Sequence, residues 1–429
     1  ENEGRLTEPM AYDHATDRYL PIGWDEAFER IGAALRALPD PDMAEFYTSG
    51  RTSNEAAFLY QLMVREFGTN NFPDCSNMCH EATSVGLPQS IGVGKGTVTL
   101  EDFEHCDALF SFGHNPGTNH PRMLGTLQEI ARRGVPIIAV NPLRERGLER
   151  FTSPQDPAQM LTNASTPLAQ TYYQVRIGGD VALLKGMMKW LLEADAADLA
   201  AGGKGVLDHA FIREHTDGID ALREDIAATA WDDIVAQSGL SLDDIHAAAR
   251  VYAQAERVIL CYGMGMTQHR FGVRNVQQMA NLMLLRGNIG RRGAGIAPIR
   301  GHSNVQGDRT VGITEKPTQA LLDGIRRTYG FSFPLKDGHD SVEAVRAIRD
   351  GRSKALVCLG GNLAVAISDP GTTFPAMRQL DLVVHIATKL NRSHLIPAKQ
   401  AFLLPCLGRT EEDVQASGPQ SVTVEDSMS

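Results

Sequence analysis

Six cysteines among 429 residues form no C-x-x-C pair and no dense framework of the kind that staples secreted domains. They stand apart at 75, 79, 106, 261, 358 and 406, and an iron–sulfur cluster of the usual four-Cys kind finds no ligands in such a set. Long apolar runs are missing as well. None approaches the roughly 18 residues that suggest a membrane span, so no span is expected. No Lys/Arg block occurs, and 41 basic against 52 acidic residues give a formal charge of −11. A nucleic-acid or anionic-membrane partner is therefore not expected. The opening "ENEGRLTEPMAYDHATDRYLPIGWDEAF" has no basic segment leading into an apolar one, so no signal peptide is expected. Together with unpaired cysteines, these absences predict a soluble protein of a reducing, cytoplasmic compartment.

What is present repeats. A short apolar run ends in Gly, a polar loop follows, and a helical stretch comes after. The copies are "CDALFSFGHNPGTNHPRMLGTLQEIARRG", "RVILCYGMGMTQHRFGVRNVQQMANLMLLRGNIG" and "SKALVCLGGNLAVAISDPGTTFPAMRQL". Val/Ile/Leu-rich runs alternating with amphipathic segments predict βαβ units on parallel sheets buried on both faces. The fold class is α/β, of two or three domains by length. Ligands of such sheets bind beyond the carboxyl ends of the strands, here at Gly113, Gly263 and Gly360. Three similar strand ends suggest one extended ligand or two related ones. Asp180 is expected to cap a helix, and residues 306–340 to form surface loops.

Individual motifs are weaker. "GMGMTQ" has two glycines of a dinucleotide fingerprint but Gln268 in the third place, which argues against a nicotinamide site. "GVGKGT" lacks the order of a phosphate loop and reads as a turn. "GHNPGTNHP" offers Asn115, Thr118 and Asn119 beside a helix start near Pro121, where a phosphate or pyrophosphate is favoured. His105, His114 and His120 read first as ordinary loop histidines. Cys106, Cys261, Cys358 and Cys406 lie in or beside apolar runs and read as small hydrophobes.

"CSNMCHE" is different. As a helix it puts Cys75 and Cys79 on one face. No second pair exists to complete a zinc site. Packing cysteines, a reactive thiol and a single-thiolate metal ligand remain open, and a soft-ligated transition metal is the chemistry that wants one Cys beside one His.

At this point the chain resembles a known family. "RLTEPM", "WDEAF", "GTNNFPDCSNMCHE", "GHNPGTNHPR", "NPLRERG", "YGMGMTQH", "LLRGNIGRRGAGI", "IRGHSNVQGDR" and "LPCLGRTEED" occur in order. They resemble molybdopterin oxidoreductases of the dimethyl sulfoxide reductase superfamily, and formate dehydrogenase-like alpha subunits in particular. The resemblance implies two molybdopterin guanine dinucleotides (bis-MGD) holding one Mo or W. Cys79 matches the metal ligand and His80 the residue that handles the substrate proton. Gly113, Asn115, Pro116 and Asn119 match a dinucleotide loop, and Asn141, Pro142 and Arg144 match contacts after the next strand. Gly178 and Asp180, Met264 and Gln268, and Asn362 match further cofactor contacts.

Formate dehydrogenases carry an active-site arginine on the helix after "TQH". Gln277 matches that place, with Arg274 one turn earlier. An amide does not replace a bidentate guanidinium, so the small substrate, formate or similar, stays open. The family's [4Fe-4S] cluster and electron-transfer partner are expected from regions outside this chain, which reads as a central fragment without the N-terminal Fe–S domain and the C-terminal barrel domain. Expected domains are 1–74 with 279–400, then 75–278 carrying Cys79, and 401–429 opening a following domain. A non-catalytic scaffold of the same fold and an NAD-dependent dehydrogenase are the competing readings.

Overall fold

A computed structural model describes residues 4–425 of the chain. The chain divides into two units, Cys79–Gly301 and the combination of Glu1–Met78 with His302–Ser429.

The first of these is built on five parallel strands. Gly295–Pro298, Val258–Tyr262, Ala108–Phe112, Ile137–Val140 and Thr171–Tyr173 follow one another across the sheet. The earliest strand in the chain, Ala108–Phe112, is therefore central. The next two lie on one side of it and the last two on the other. Every residue of Ala108–Phe112, Ile137–Val140 and Val258–Tyr262 is buried, as a sheet covered on both faces requires. The long helix Asp180–Ala200 buries Leu183, Leu184, Met187 and Leu191 in the same core as Phe110, Phe112 and Tyr262. Glu81–Ile91 packs along Gly272–Leu284. They approach closely because Gly86 has no side chain: a Cβ there would lie 2.9 Å from Cβ of Val276.

The other unit carries a six-stranded sheet. Its parallel part runs Gln400–Pro405, Leu382–Ala387, Ala355–Leu359, Ala44–Thr48, and Met10–Asp13 and Arg18–Pro21 extend it antiparallel beyond Gln400–Pro405. Phe46, Val357, Val384 and Phe402 share one face of this sheet in one core.

The α/β class and the parallel sheets are as the sequence predicted, but four local expectations differ. Residues 279–301 belong with Cys79–Gly301. The helix Gly272–Leu284 continues through 278, and Gly295–Pro298 completes the sheet by pairing Ile296 with Leu260. Residues 401–405 do not open a new domain, because Gln400–Pro405 hydrogen-bonds to strands on both its sides. Within 306–340 a helix forms at Gln319–Tyr329, capped by Thr318 and ended by Gly330, with Leu322 and Ile325 buried. Asp180 is the first helical residue, and Gly179 holds the cap position. Among the described residues no helix is long and apolar enough to cross a membrane.

Candidate cofactor site

In the unit Cys79–Gly301 the strand order reverses between Ala108–Phe112 and Val258–Tyr262. Loops leaving such a pair diverge to opposite faces and open a crevice, which makes this the expected ligand position. A cavity of about 180 Å³ lies there. Gly113, Asn115 and Asn119 reach it from the first loop, Asn141 and Glu145 from the strand end beyond, and Met264 from the loop after Val258–Tyr262.

Glycine makes this meeting of loops feasible. Gly113 has φ +54, and a Cβ on it would lie 2.8 Å from Cα of Gly265. A Cβ on Gly117 would lie 2.8 Å from Cα of Gly147. Two backbones thus touch where any side chain would collide. The second glycine of "GMGMTQ", Gly265, serves this loop-to-loop contact.

Cys79 stands beside the cavity wall. It is buried, its Sγ lies 3.5 Å from Sδ of Met264, and its carbonyl accepts from Oγ1 of Thr267 at 3.0 Å. His80 is fully buried. Its Nε2 lies 3.1 Å from the Ile299 carbonyl, which can only accept, so Nε2 carries the proton. Nδ1, 3.0 Å from Thr83 Oγ1, is then the acceptor, and Thr83 in turn meets the Tyr262 hydroxyl at 2.8 Å. Burial pulls the ring down to about 4, aided by the Arg300 charge. This arrangement also gives His80 a structural task besides the proton-handling role expected of it. Both ring nitrogens are used inside the protein, and the imidazole stays neutral at neutral pH.

The next carbonyl fixes another histidine. His120 Nε2 donates to the Arg300 carbonyl at 2.8 Å, and His120 Nδ1 lies 2.9 Å from His114 Nε2. Burial holds His114 down to about 3, so it too is uncharged. Both rings line the cavity. Sequence reasoning had set them aside as loop histidines; their spacing across one tight loop was the available signal. Glu145, hidden in the charged "RERG", was missed entirely.

Other expected residues fall elsewhere. Pro116 opens a four-residue helix, Pro116–Asn119, capped by Asn115, and the following helix starts at Met123 rather than near Pro121. Pro142 presents its carbonyl to Gln174 at 3.1 Å. Arg144 is exposed, ion-paired to Glu149 at 2.8 Å and lying over the Tyr172 ring. Gly178 turns the chain with φ +81 before Asp180, whose buried carboxyl is pushed up to about 6 by desolvation. Gln268 is exposed. Gln277 donates from Nε2 to Gln89 Oε1 at 2.8 Å, across the packed helices. Asn362 lies in the other unit, where its Oδ1 accepts from Ser393 Oγ at 2.6 Å. Pro116, Pro142, Arg144, Gly178, Asp180, Gln268 and Gln277 do not line the cavity.

Among the described residues no group of three or more His, Cys, Asp or Glu side chains could hold a metal ion. A metal at Cys79 would take its other ligands from a cofactor, and a single soft donor beside a crevice fits that demand.

Fold and site define a doubly wound α/β protein with a cavity at its switch point. The molybdopterin oxidoreductase family model matches residues 5–395, and the chain belongs to that family. It is 60% identical over 429 residues to Protein YdeP of Escherichia coli K12, of which it covers 56%. It is 27% identical over 394 residues to formate dehydrogenase H of the same organism, an alignment covering 89% of the chain and 51% of that protein. The chain thus spans about half the length of the curated relatives it matches. Among solved structures, acetylene hydratase from Pelobacter acetylenicus shares the fold, with a TM-score of 0.73 over 99% of this chain and 59% of that one at 16% identity.

Proposed function

We propose that this chain is the cofactor-carrying part of a molybdenum or tungsten oxidoreductase that uses bis-MGD for two-electron chemistry on a small substrate. The observation that carries this reading is the Cys79 thiol set against Met264 at the wall of the switch-point cavity. When bound, the cofactor supplies a redox-active metal held by dithiolene sulfurs.

The chain's own residues have separable tasks. Cys79 is the protein ligand, buried so that its thiolate stays out of water and tunes the metal through one soft donor. Met264 covers the sulfur with an apolar thioether. Gly113, Gly263 and Gly265 let backbone come close to a large flat ligand, while Asn115, Asn119 and Asn141 offer it hydrogen bonds. The Asp180 carboxyl, in a desolvated place after Gly178, suits the N–H edge of a guanine. Pro116, Pro142, Arg144 and Gln268 belong to the loops that frame these contacts, and Asn362 would offer a separate cofactor contact in its own unit. His80 is a positioning residue: it ties Cys79 to the Ile299 carbonyl and to Thr83, and moves no substrate proton.

A second reading of the substrate is favoured by Gln277. Its side chain is engaged with Gln89 and provides no guanidinium for a carboxylate, so a molecule other than formate is the better candidate. Electrons would leave through a cluster and partner outside these residues, in the cytoplasm.

The deciding experiment is metal and guanine-nucleotide content of protein expressed with its natural flanking sequence. About one Mo or W and two guanine nucleotides per chain are expected. Protein that stays empty, in a host that loads a control enzyme, would leave a scaffold of the same fold.

A further inference from the structure

The unit Cys79–Gly301 gathers more soft donors around its cavity than one cofactor ligand requires. Met264 Sδ touches Cys79 Sγ at 3.5 Å. Met264 and His114 both line the cavity. His114 packs closely on the loop that carries Met264, for a Cβ on Gly263 would lie 3.2 Å from Cβ of His114.

Hydrogen bonds decide what His114 presents there. The Arg300 carbonyl can only accept, so His120 Nε2 carries that ring's proton. In the neutral pair His120 Nδ1 is then an acceptor, and His114 Nε2, 2.9 Å away, donates to it. A bare lone pair remains on His114 Nδ1. That atom has no hydrogen-bond partner among the described residues, and the residue is only 3% exposed. A buried acceptor left unpaired costs free energy until something fills it. Among the described residues no Lys or Arg lines the cavity, whereas Glu145, which accepts from Asn115 Nδ2 at 2.7 Å, does. The wall therefore favours a cation.

We propose that Cys79, Met264 and His114 bind a soft monovalent cation, Cu(I) or Ag(I), in the protein before its cofactor arrives. A thiolate, a thioether and an imidazole nitrogen suit such an ion. Zn(II) asks for a fuller set of donors, and Mg(II) or Ca(II) for oxygen. The unbranched methionine side chain can swing aside to admit an ion between the sulfurs. On binding, the Cys79 S–H bond gives way to a bond to the metal, the proton passes to water, and no oxidation state changes. The inference shares Cys79 with the proposed cofactor reading, and the ion and that cofactor exclude each other.

The test is Cu(I) transfer from its bicinchoninate complex to protein expressed with its natural flanking sequence in a host that makes no molybdopterin. Other cysteines also take up copper, so the quantity read is the difference from Cys79→Ser. Wild type should bind about one equivalent more than Cys79→Ser. Met264→Leu keeps the bulk and His114→Phe keeps a ring, and each should weaken that equivalent at least about tenfold. Copper-edge X-ray absorption should lose a sulfur in Met264→Leu and a nitrogen in His114→Phe. Excess Zn(II) should not displace the ion.

Equal uptake by wild type and Cys79→Ser overturns the inference. So does unchanged affinity in Met264→Leu or in His114→Phe, because a thiol acting alone predicts that result. If Cys79→Ser does not fold, the absorption spectra of the other two variants decide. Protein isolated with its cofactor should lack this equivalent, and retention of it would place the ion elsewhere and end the inference. Cofactor loaded by a protein without this copper equivalent fails the inference alone. Copper held here by a protein that stays empty of cofactor in a competent host fails the cofactor reading alone.

Discussion

The two parallel sheets of this chain are built from similar strands yet ordered differently, and the order decides where a crevice can form. In Cys79–Gly301 the earliest strand is central and the chain winds away from it in both directions. In the other unit Ala44–Thr48, Ala355–Leu359, Leu382–Ala387 and Gln400–Pro405 succeed one another across the sheet without reversal. Only the first arrangement has a switch point, and the cavity with its convergent loops lies there. The strand-end loop after Ala355–Leu359 is instead closed off by the segment Arg392–Leu395 that follows the next strand, with Asn362 engaged by Ser393. Equivalent-looking sequence repeats thus acquire different surroundings from topology alone.

Substitutions can break or sharpen this contrast. The largest effect is expected at Cys79. Cys79→Ala should lower turnover about a thousandfold or more while circular dichroism stays native; full activity would refute the metal-ligand assignment. Next comes Gly113→Ala, which forces a Cβ against the Gly265 backbone at φ +54. A loss of about 3 kcal/mol or more in a denaturant melt is expected. Gly125→Ala, inside the helix Met123–Arg132 with open space around it, should be neutral or stabilising by up to about 1 kcal/mol. A similar cost at both glycines would mean that the crevice loops have room the geometry denies.

His80→Ala should cost about 1–3 kcal/mol, through the orphaned Ile299 carbonyl and the vacated space. It should leave the shape of the pH–rate profile above about pH 5 unchanged, because burial holds the ring down to about 4. A limb of that profile vanishing with the imidazole would restore the proton role.

A last effect, spread over several pH units, concerns acid stability of the other sheet. His385, buried in Leu382–Ala387, is held down to about 3 against an ordinary 6.5 by desolvation, with His394 adding to it. Unfolding lets this ring take up a proton, so its contribution is present above pH 6.5 and is lost as pH falls toward 3. His385→Leu should remove that dependence. Between those limits wild type should lose up to about 1.4 kcal/mol per pH unit more than the variant. Parallel pH curves for the two proteins would show the ring already protonated in the fold.

Much of this was legible in the sequence, and the missing part has a common cause. Buried parallel strands announce themselves by unbroken apolar runs such as "ALFSF" and "VILCY". Gly113, Asn115, Asn119, Asn141 and Met264, which the family resemblance pointed to, line one cavity. Domain limits were misplaced because the helix Gly272–Leu284 carries no breaker at 278. The setting of His80 was not legible because it comes from the distant Ile299 carbonyl, which no local pattern reports. Glu145 was missed because one acid among arginines looks like a solvated turn until the fold places Asn115 against it.

The carbonyls of Ile299 and Arg300 are neighbours in the chain, and each grips one imidazole, His80 from the cysteine segment and His120 from the first crevice loop. The peptide between them works as a fixed spacer with two docking pegs. Neither histidine-bearing segment can slide along it without giving up a partly buried hydrogen bond. The position of the Cys79 sulfur and the shape of the crevice are therefore calibrated against the same few ångströms of main chain, and a disturbance of that peptide would throw both out of adjustment together.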